Sequence, residues 1–327
     1  VVIDRDGQLM TTESVIVTVA ALVTTAVLTP LCIVTAHRYR ILDRAGPLKP
    51  QATPVPYLGG VAVFFGVAIG ASVDRPLVLI PLGLALVVGV LDDRFEVAPG
   101  LRLVAQLAIG IAIVATQPVH PTGGVAVAAI VAIAVLLING FNLLDGLDML
   151  AGGVGLASAV GFALLDHEGR GLLALALAGA LAAFLAYNRF PARIYLGDGG
   201  SYLLGATVTV LLCRAWGAGI PTPVGVLALA LVAIPVTEVA CALVRRTRSK
   251  LSLLTGDRGH PYDRLVQRGW PRPAASAVYI GAEVIVVLVV GVLRPSPSMA
   301  VAVAVDVGVG IVLLACAALA GGLDQGN

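Results

Sequence analysis

Charge is what this chain has least of. Asp, Glu, Lys and Arg make up only 12% of its 327 residues, against 58% hydrophobic residues, and the mean hydropathy is +0.98. That excludes an ordinary soluble domain, in which about a quarter of the residues carry charge. Cysteine is scarce and scattered. Cys32, Cys213, Cys241 and Cys316 all fall inside apolar runs at no metal-like spacing, so they read as small buried hydrophobes rather than a disulfide framework or a zinc site. The ten-residue alternation of a membrane barrel is missing as well. There is no internal repeat and no low-complexity segment, and the halves do not mirror each other, which weighs against a secondary transporter. No cleavable signal is evident, because the first apolar run starts near Ser14 and basic residues follow it. Residues 1–9 are polar, and Met10 is an alternative start.

What is present is a series of long Ala/Val/Leu/Gly runs, at 14–36, 57–73, 77–91, 103–116, 124–143, 151–165, 171–187, 201–217, 223–244, 273–293 and 299–321. A helix needs roughly 15–25 residues to cross the hydrocarbon. The expected fold is therefore all-α, a polytopic integral membrane protein of about eleven transmembrane helices. The short runs rich in Gly and Ala suit helices packed closely on one another. The expected organisation is a tail at 1–13, a single membrane-embedded domain at 14–321 with a cytoplasmic loop at 245–272, and a tail at 322–327. Of the 21 Lys and Arg, sixteen lie in the odd-to-even connections at 37–56, 92–102, 144–150, 188–200 and 245–272. By the positive-inside rule those loops are cytoplasmic, the N-terminus is outside and the C-terminus inside. The net charge of +2 identifies no partner, and no nucleic-acid partner is expected.

The same five loops hold nearly all the clustered polar chemistry, and polar groups at the edge of a bilayer mark function by default. In the first, Lys49 sits in a rigid Pro/Gly frame, a compact charge suited to phosphate oxygens. Gly59 and Gly60 suit close helix packing. In the second, Asp92 and Asp93 are adjacent where a helix leaves the membrane; their repulsion suits either a divalent cation or a proton-accepting role. In the third, Asn139, Asn142, Asp145 and Asp148 recur every three residues, a row that cannot share one helical face. Gly146 offers a break, so Asn139 and Asn142 should close a helix, with both aspartates in a turn. In the fourth, Asp198 stands among glycines that let the backbone approach a ligand, with Ser201 able to cap the next helix. One carboxylate beside backbone amides suits a magnesium–phosphate ion pair. The fifth loop is basic; His260, Tyr262, Asp263 and Arg264 lie close enough to read a polar ligand, and Trp270 and nearby leucines suit the membrane surface. Glu238, near Pro235, approaches the same end of its span. Together the carboxylates, lysine and basic loop suit phosphoryl transfer, with one reactant from the cytosol and one from the membrane plane.

Five blocks resemble those of the polyprenyl-phosphate N-acetylhexosamine-1-phosphate transferases, in the family's order. They are Lys49…Pro56…Gly59-Gly60; Leu91-Asp-Asp-Arg…Gln106; Asn139-Gly-Phe-Asn-Leu-Leu-Asp-Gly-Leu-Asp148; Pro191-Ala-Arg-Ile-Tyr-Leu-Gly-Asp-Gly-Gly-Ser201; and Pro235…Asp257-Arg-Gly-His260…Arg264. The resemblance implies transfer of a sugar 1-phosphate, expected to be HexNAc 1-phosphate, from a UDP-sugar to polyprenyl phosphate with release of UMP. This would start a lipid-linked cell-envelope glycan at the bacterial inner membrane, with magnesium, or manganese in its place, as cofactor and a homodimer allowed. It implies that Asp198, with Asn142, forms the metal site. Asp92, Asp93 and Asp145 would be the catalytic carboxylates, Asp92 deprotonating the lipid phosphate. Lys49, Asn139, Asn142, Asp148, His260 and Arg264 would bind substrate. The chain departs from the family at His260-Pro-Tyr-Asp263, where His-x-His-His is usual; Gln51 replaces His, Met149 replaces Gly and Glu238 replaces Asp. Two other readings remain. A UbiA-like prenyltransferase is suggested by Asp92-Asp93 but would need a second Asp-rich motif on another helix, a pattern the Asn142–Asp148 block fits poorly. A lipid-phosphate or nucleotide-sugar transporter accounts for the spans but not for the polar loops.

Overall fold

The computed structural model describes residues 11–43, 54–117, 123–166, 171–217, 222–250 and 259–323. Its helices are α1 (Thr12–Tyr39), α2 (Gly59–Asp74), α3 (Leu79–Phe95), α4 (Pro99–Thr116), α5 (Gly124–Leu144), α6 (Leu150–Leu165), α7 (Leu172–Asn188), α8 (Gly197–Trp216), α9 (Pro223–Leu227), α10 (Ala233–Arg248), α11 (Pro261–Gln267), α12 (Arg272–Leu293) and α13 (Met299–Leu319). Short 3-10 segments at Pro76–Val78 and Ala228–Val232 lead into α3 and α10. Among the described residues, seven helical segments are long and apolar enough to cross a membrane, and α2, α6 and α7 are apolar but shorter. The chain is an all-α polytopic membrane protein. The described residues also include a two-residue antiparallel pair, β1 (Leu42–Asp43) with β2 (Val55–Pro56).

Helix α8 sits at the centre. Gly199 to Leu212 are buried without interruption, with α2, α3, α5 and α6 packed round it. A helix buried on every side needs no lipid-compatible face, so α8 tolerates polar residues. Thr207 and Thr209 donate back to the Leu203 and Gly205 carbonyls at 2.7 Å each.

Small residues set how closely the neighbours approach. A Cβ on Gly89 of α3 would lie 2.3 Å from the Asp198 carbonyl oxygen; one on Gly60 of α2 would lie 2.3 Å from the Gly200 nitrogen. The amides of Gly59 and Gly60 donate to the Tyr195 and Leu196 carbonyls at 3.0 and 2.9 Å. The start of α2 is thus bound to the strand of chain that leads into α8.

The expected span at 223–244 is found as Pro223–Arg248, a helical segment that changes from α to 3-10 and back. Pro235 has no N–H for the Leu231 carbonyl and its ring crowds that turn, and the 3-10 segment occupies the preceding residues. At the end of the bundle away from the Asp198 helix terminus, arginines join neighbouring elements. Arg75 Nε donates to Thr116 O at 2.6 Å, Arg294 donates to Leu164 O and Arg214 pairs with Asp74. At the other end, Arg268, Arg245 and Arg248 donate to the carbonyls of Leu319, Gly322 and Leu323 at 2.6, 3.1 and 3.1 Å, anchoring the end of α13.

Two glycines of α3 provide a controlled comparison. Gly89→Ala should lower stability by about 1–3 kcal/mol, the usual effect of overpacking. Gly83→Ala, whose Cβ would meet nothing nearer than 3.9 Å, should be neutral or stabilising. Thermal unfolding of both variants in the same detergent measures the difference; equal midpoints would show that the α3–α8 approach is not tight.

Candidate active site

The functional side chains gather at one end of the bundle, where α3, α5 and α7 finish and α8 begins. The first amides of a helix have no partner inside it, and the macrodipole makes that end attractive to anions. Here carboxylates from other elements occupy them. Asp93, in the last turn of α3, accepts from Gly199 N at 3.2 Å and from the Asp198 amide. Asp145, the residue that closes α5, accepts from the Gly197 amide. Ser201 is not the cap; α8 begins four residues before it, and Ser201 lies inside the helix, its hydroxyl bonded to Asp198 O at 3.3 Å. Gly199 and Gly200, beside Asp198, allow close approach of α3 and α2.

Asp198 lies in the first turn of α8. Its Oδ1 accepts from Asn142 Nδ2 at 2.6 Å, and Asn142 also reaches Ser201 Oγ at 3.3 Å. Asp198 is close enough to Asp92 for their carboxylates to interact directly. The adjacent aspartates of α3 have different surroundings. Asp92 is buried and accepts from Val97 N at 3.0 Å, from Arg102 at 3.2 Å and from the Tyr202 hydroxyl at 2.7 Å. Asp93 turns to the start of α8.

Asn142 closes α5, and Asp145 and Asp148 fall in the turn before α6, as the break at Gly146 leads one to expect. Asn139 is turned to the bundle, donating to Gln106 Oε1 and Val135 O at 2.7 Å each. Asp148 accepts from Ala192 N at 3.0 Å, which ties the α5–α6 turn to the loop before α8. His260 and Arg264 belong to α11 and its entry. Arg264 reaches Gln267 on its own helix at 3.3 Å. Tyr262 donates to Leu143 O, the end of α5, at 2.7 Å, and a Cβ on Gly146 would lie 2.2 Å from that hydroxyl oxygen. The His260 loop is thereby seated against the Asp145 turn. Lys49, Gln51 and Asp257 lie outside the described residues.

Several contributors carry no signal in the spacing. Asn188, at the end of α7, accepts from Met149 N at 2.8 Å and donates to Ile194 O at 2.9 Å, linking two site loops. Its only sequence mark is a carboxamide ending an apolar run. Tyr202 is one more interior aromatic until the fold brings it to Asp92.

The acids are in excess. The Asp145 carboxyl is pushed well above the ordinary carboxylate value of 3.8, first by burial, then by the charges of Asp198 and Asp93. Asp148 is raised by burial and partly relieved by the Ala192 amide and Arg272. Among the described residues no three His, Cys, Asp or Glu side chains form a preformed metal cage. The donor set nonetheless fits a hard divalent cation. Magnesium is typically held by one or two carboxylates with substrate phosphates completing its shell, and an all-oxygen group with adjacent, mutually repelling carboxylates meets that need.

The family model for glycosyl transferase family 4 matches residues 76–215, which include Asp92, Asp93, Asn142, Asp145, Asp148 and Asp198. A Streptomyces coelicolor protein named as a glycosyltransferase is 32% identical over 290 residues, 84% of this chain and 68% of that one. The undecaprenyl-phosphate alpha-N-acetylglucosaminyl 1-phosphate transferase of Yersinia pestis is 27% identical over 78% of this chain and 77% of its own. The decaprenyl-phosphate N-acetylglucosaminephosphotransferase of Mycolicibacterium smegmatis is 27% identical over 71% of this chain and 70% of its own.

Because Asp145 is harder to ionise folded than unfolded, the folded protein holds its proton more tightly. Without divalent cations, stability should therefore fall as pH rises from the ordinary value of 3.8 until Asp145 ionises in the fold. Thermal midpoints in chelator from about pH 5 to about pH 8 should decline, and Asp145→Asn should flatten the slope. An unchanged slope in the variant would contradict the crowding of charge at Asp145.

Proposed function

The chain belongs to glycosyl transferase family 4, and from that premise we propose that it transfers N-acetylhexosamine 1-phosphate from a UDP-sugar to polyprenyl phosphate. UMP is released, and the product starts a lipid-linked cell-envelope glycan. The observation that carries this reading is the Asn142–Asp198 pair at the junction of α5 and α8, with Asp93 and Asp145 on the same helix terminus.

In this reaction an oxygen of the lipid phosphate attacks the β-phosphorus of the UDP-sugar. The bond from that phosphorus to the bridging oxygen breaks, and UMP leaves with the electron pair. Asp198, with Asn142, would hold magnesium or manganese, which when bound neutralises the diphosphate and the departing phosphate. Asp148 and Asp145, on the turn held by Asn188 and Ala192, suit the nucleotide side. Asp92 already accepts three hydrogen bonds, which suits a fixed anion that holds Arg102 beside the site. Asp93 is the member of the pair better disposed to take a proton from the acceptor phosphate.

The membrane layout belongs to the same proposal. Eleven crossings put the N-terminus outside, the C-terminus inside and the site on the cytoplasmic face of a bacterial plasma membrane. The placement of sixteen of the 21 Lys and Arg supports that orientation. A prenyltransferase is less favoured, because Arg102 and Tyr202 already occupy Asp92.

Membranes containing the protein, given polyprenyl phosphate, magnesium and a panel of UDP-HexNAc donors, should release UMP and label lipid with at least one donor. Asp198→Ala should lower the rate at least about 100-fold, the scale of losing a principal electrostatic contact in a transition state. Binding or flux of UDP-sugar without UMP release across the panel would favour a transporter instead.

A further inference from the structure

A second buried polar cluster stands behind His260, and none of the chemistry above uses it. His260 Nδ1 lies 3.1 Å from Glu238 Oε2. The other oxygen, Glu238 Oε1, accepts from the Tyr279 hydroxyl at 2.6 Å. Glu238 is 1% exposed and His260 5%. The imidazole stacks on Tyr262, ring centroids 5.2 Å apart and planes 4° from parallel. Tyr262 meets the Tyr279 ring edge-on at 6.2 Å. Three elements therefore fix one imidazole: α10 holds its Nδ1, α11 holds its face, and α12 orients the carboxylate.

A buried carboxylate on Nδ1 has two consequences. It keeps the proton of the neutral ring on Nδ1, and it makes Nε2 the acceptor nitrogen. The ring is seated against the acidic site through Tyr262, whose hydroxyl caps α5 at Leu143 and touches Gly146, next to Asp145.

We propose that Glu238, oriented by Tyr279, is the positioning residue of His260. It fixes the imidazole's orientation and its Nδ1–H tautomer, so that Nε2 is the ring nitrogen offered to the nucleotide-sugar. The arrangement also accounts for the chain's departure from the family pattern. Tyr262 stands where a histidine is usual and supplies a stacking face and a cap to α5, leaving His260 as the imidazole of this loop in the described structure. The substrate-facing role rests on the proposed transferase function, whereas the positioning of His260 does not.

Among the described residues, the charged and titratable groups near the pair include Cys241 and Arg245 on α10, Tyr262 on α11 and Tyr279 on α12. Arg245 packs its guanidinium on Gly259 and donates to Gly322 O at 3.1 Å. None of them would replace the Glu238 carboxylate at Nδ1.

The test is a nitrogen-15 NMR titration of histidine-labelled full-length protein in detergent, with His260→Ala identifying the signal. The wild-type ring should carry its proton on Nδ1 when neutral, and Glu238→Gln should shift the tautomer balance toward Nε2–H. Tyr279→Phe, which keeps the ring packing, should shift it the same way by less. The same tautomer in wild type and both variants would overturn the proposal. In the UMP-release assay, Glu238→Gln should raise KM for the UDP-sugar more than it lowers kcat, where a purely structural defect would lower the amount of active enzyme and leave KM unchanged. Combining Glu238→Gln with His260→Ala should be no worse than His260→Ala alone; additive losses would contradict action through His260. A wild-type protein that releases no UMP would sink the transferase reading, while the NMR titration would still decide the positioning of His260.

Discussion

The start of α8 is the point on which the site depends. Its first amides need acceptors, and the fold supplies carboxylates from α3 and from the turn after α5. Another acid, Asp198, stands on the helix itself, beside Asp92 and held by Asn142. The helix dipole attracts these groups, but it amounts to about half a charge, far less than the acids it assembles. A cationic partner therefore fits the arrangement better than a purely structural role does.

Two features hold that assembly in a membrane bundle. The first is the absence of side chains where α2 and α3 cross α8: Gly60 and Gly89 leave room for backbone only. The second is a set of carboxamides and hydroxyls that join loops rather than touch a ligand. Asn188 ties Met149 to Ile194, and Asn139 ties α5 to Gln106 on α4. The arginines at the other end do equivalent work by bonding helix ends to one another. These polar groups serve as joints, whereas at the α8 terminus acids outnumber their partners.

Much of this was legible from residue pattern. The apolar runs mark the helices, because burying a backbone in lipid leaves helix as the simplest solution. The break at Gly146 and the grouping of Asp93, Asn142, Asp145 and Asp198 follow from turn chemistry and from the expense of acids near a bilayer. Other features were not legible. The start of α8 lies four residues before Ser201, because distant carboxylates and not a local hydroxyl cap it. The division of labour between Asp92 and Asp93 is set by Tyr202, 110 residues away. The joining of Glu238 to His260 crosses from α10 to α11, a tertiary contact that local periodicity does not encode.

The central claim is that the α8 terminus holds a divalent cation together with a diphosphate. Direct binding of manganese to the purified protein, followed by electron paramagnetic resonance with and without a UDP-sugar, tests it most directly. The account predicts weak binding alone, tighter binding when the UDP-sugar is present, and loss of both in Asp198→Asn. Binding that ignores the nucleotide-sugar and survives in Asp198→Asn would contradict it.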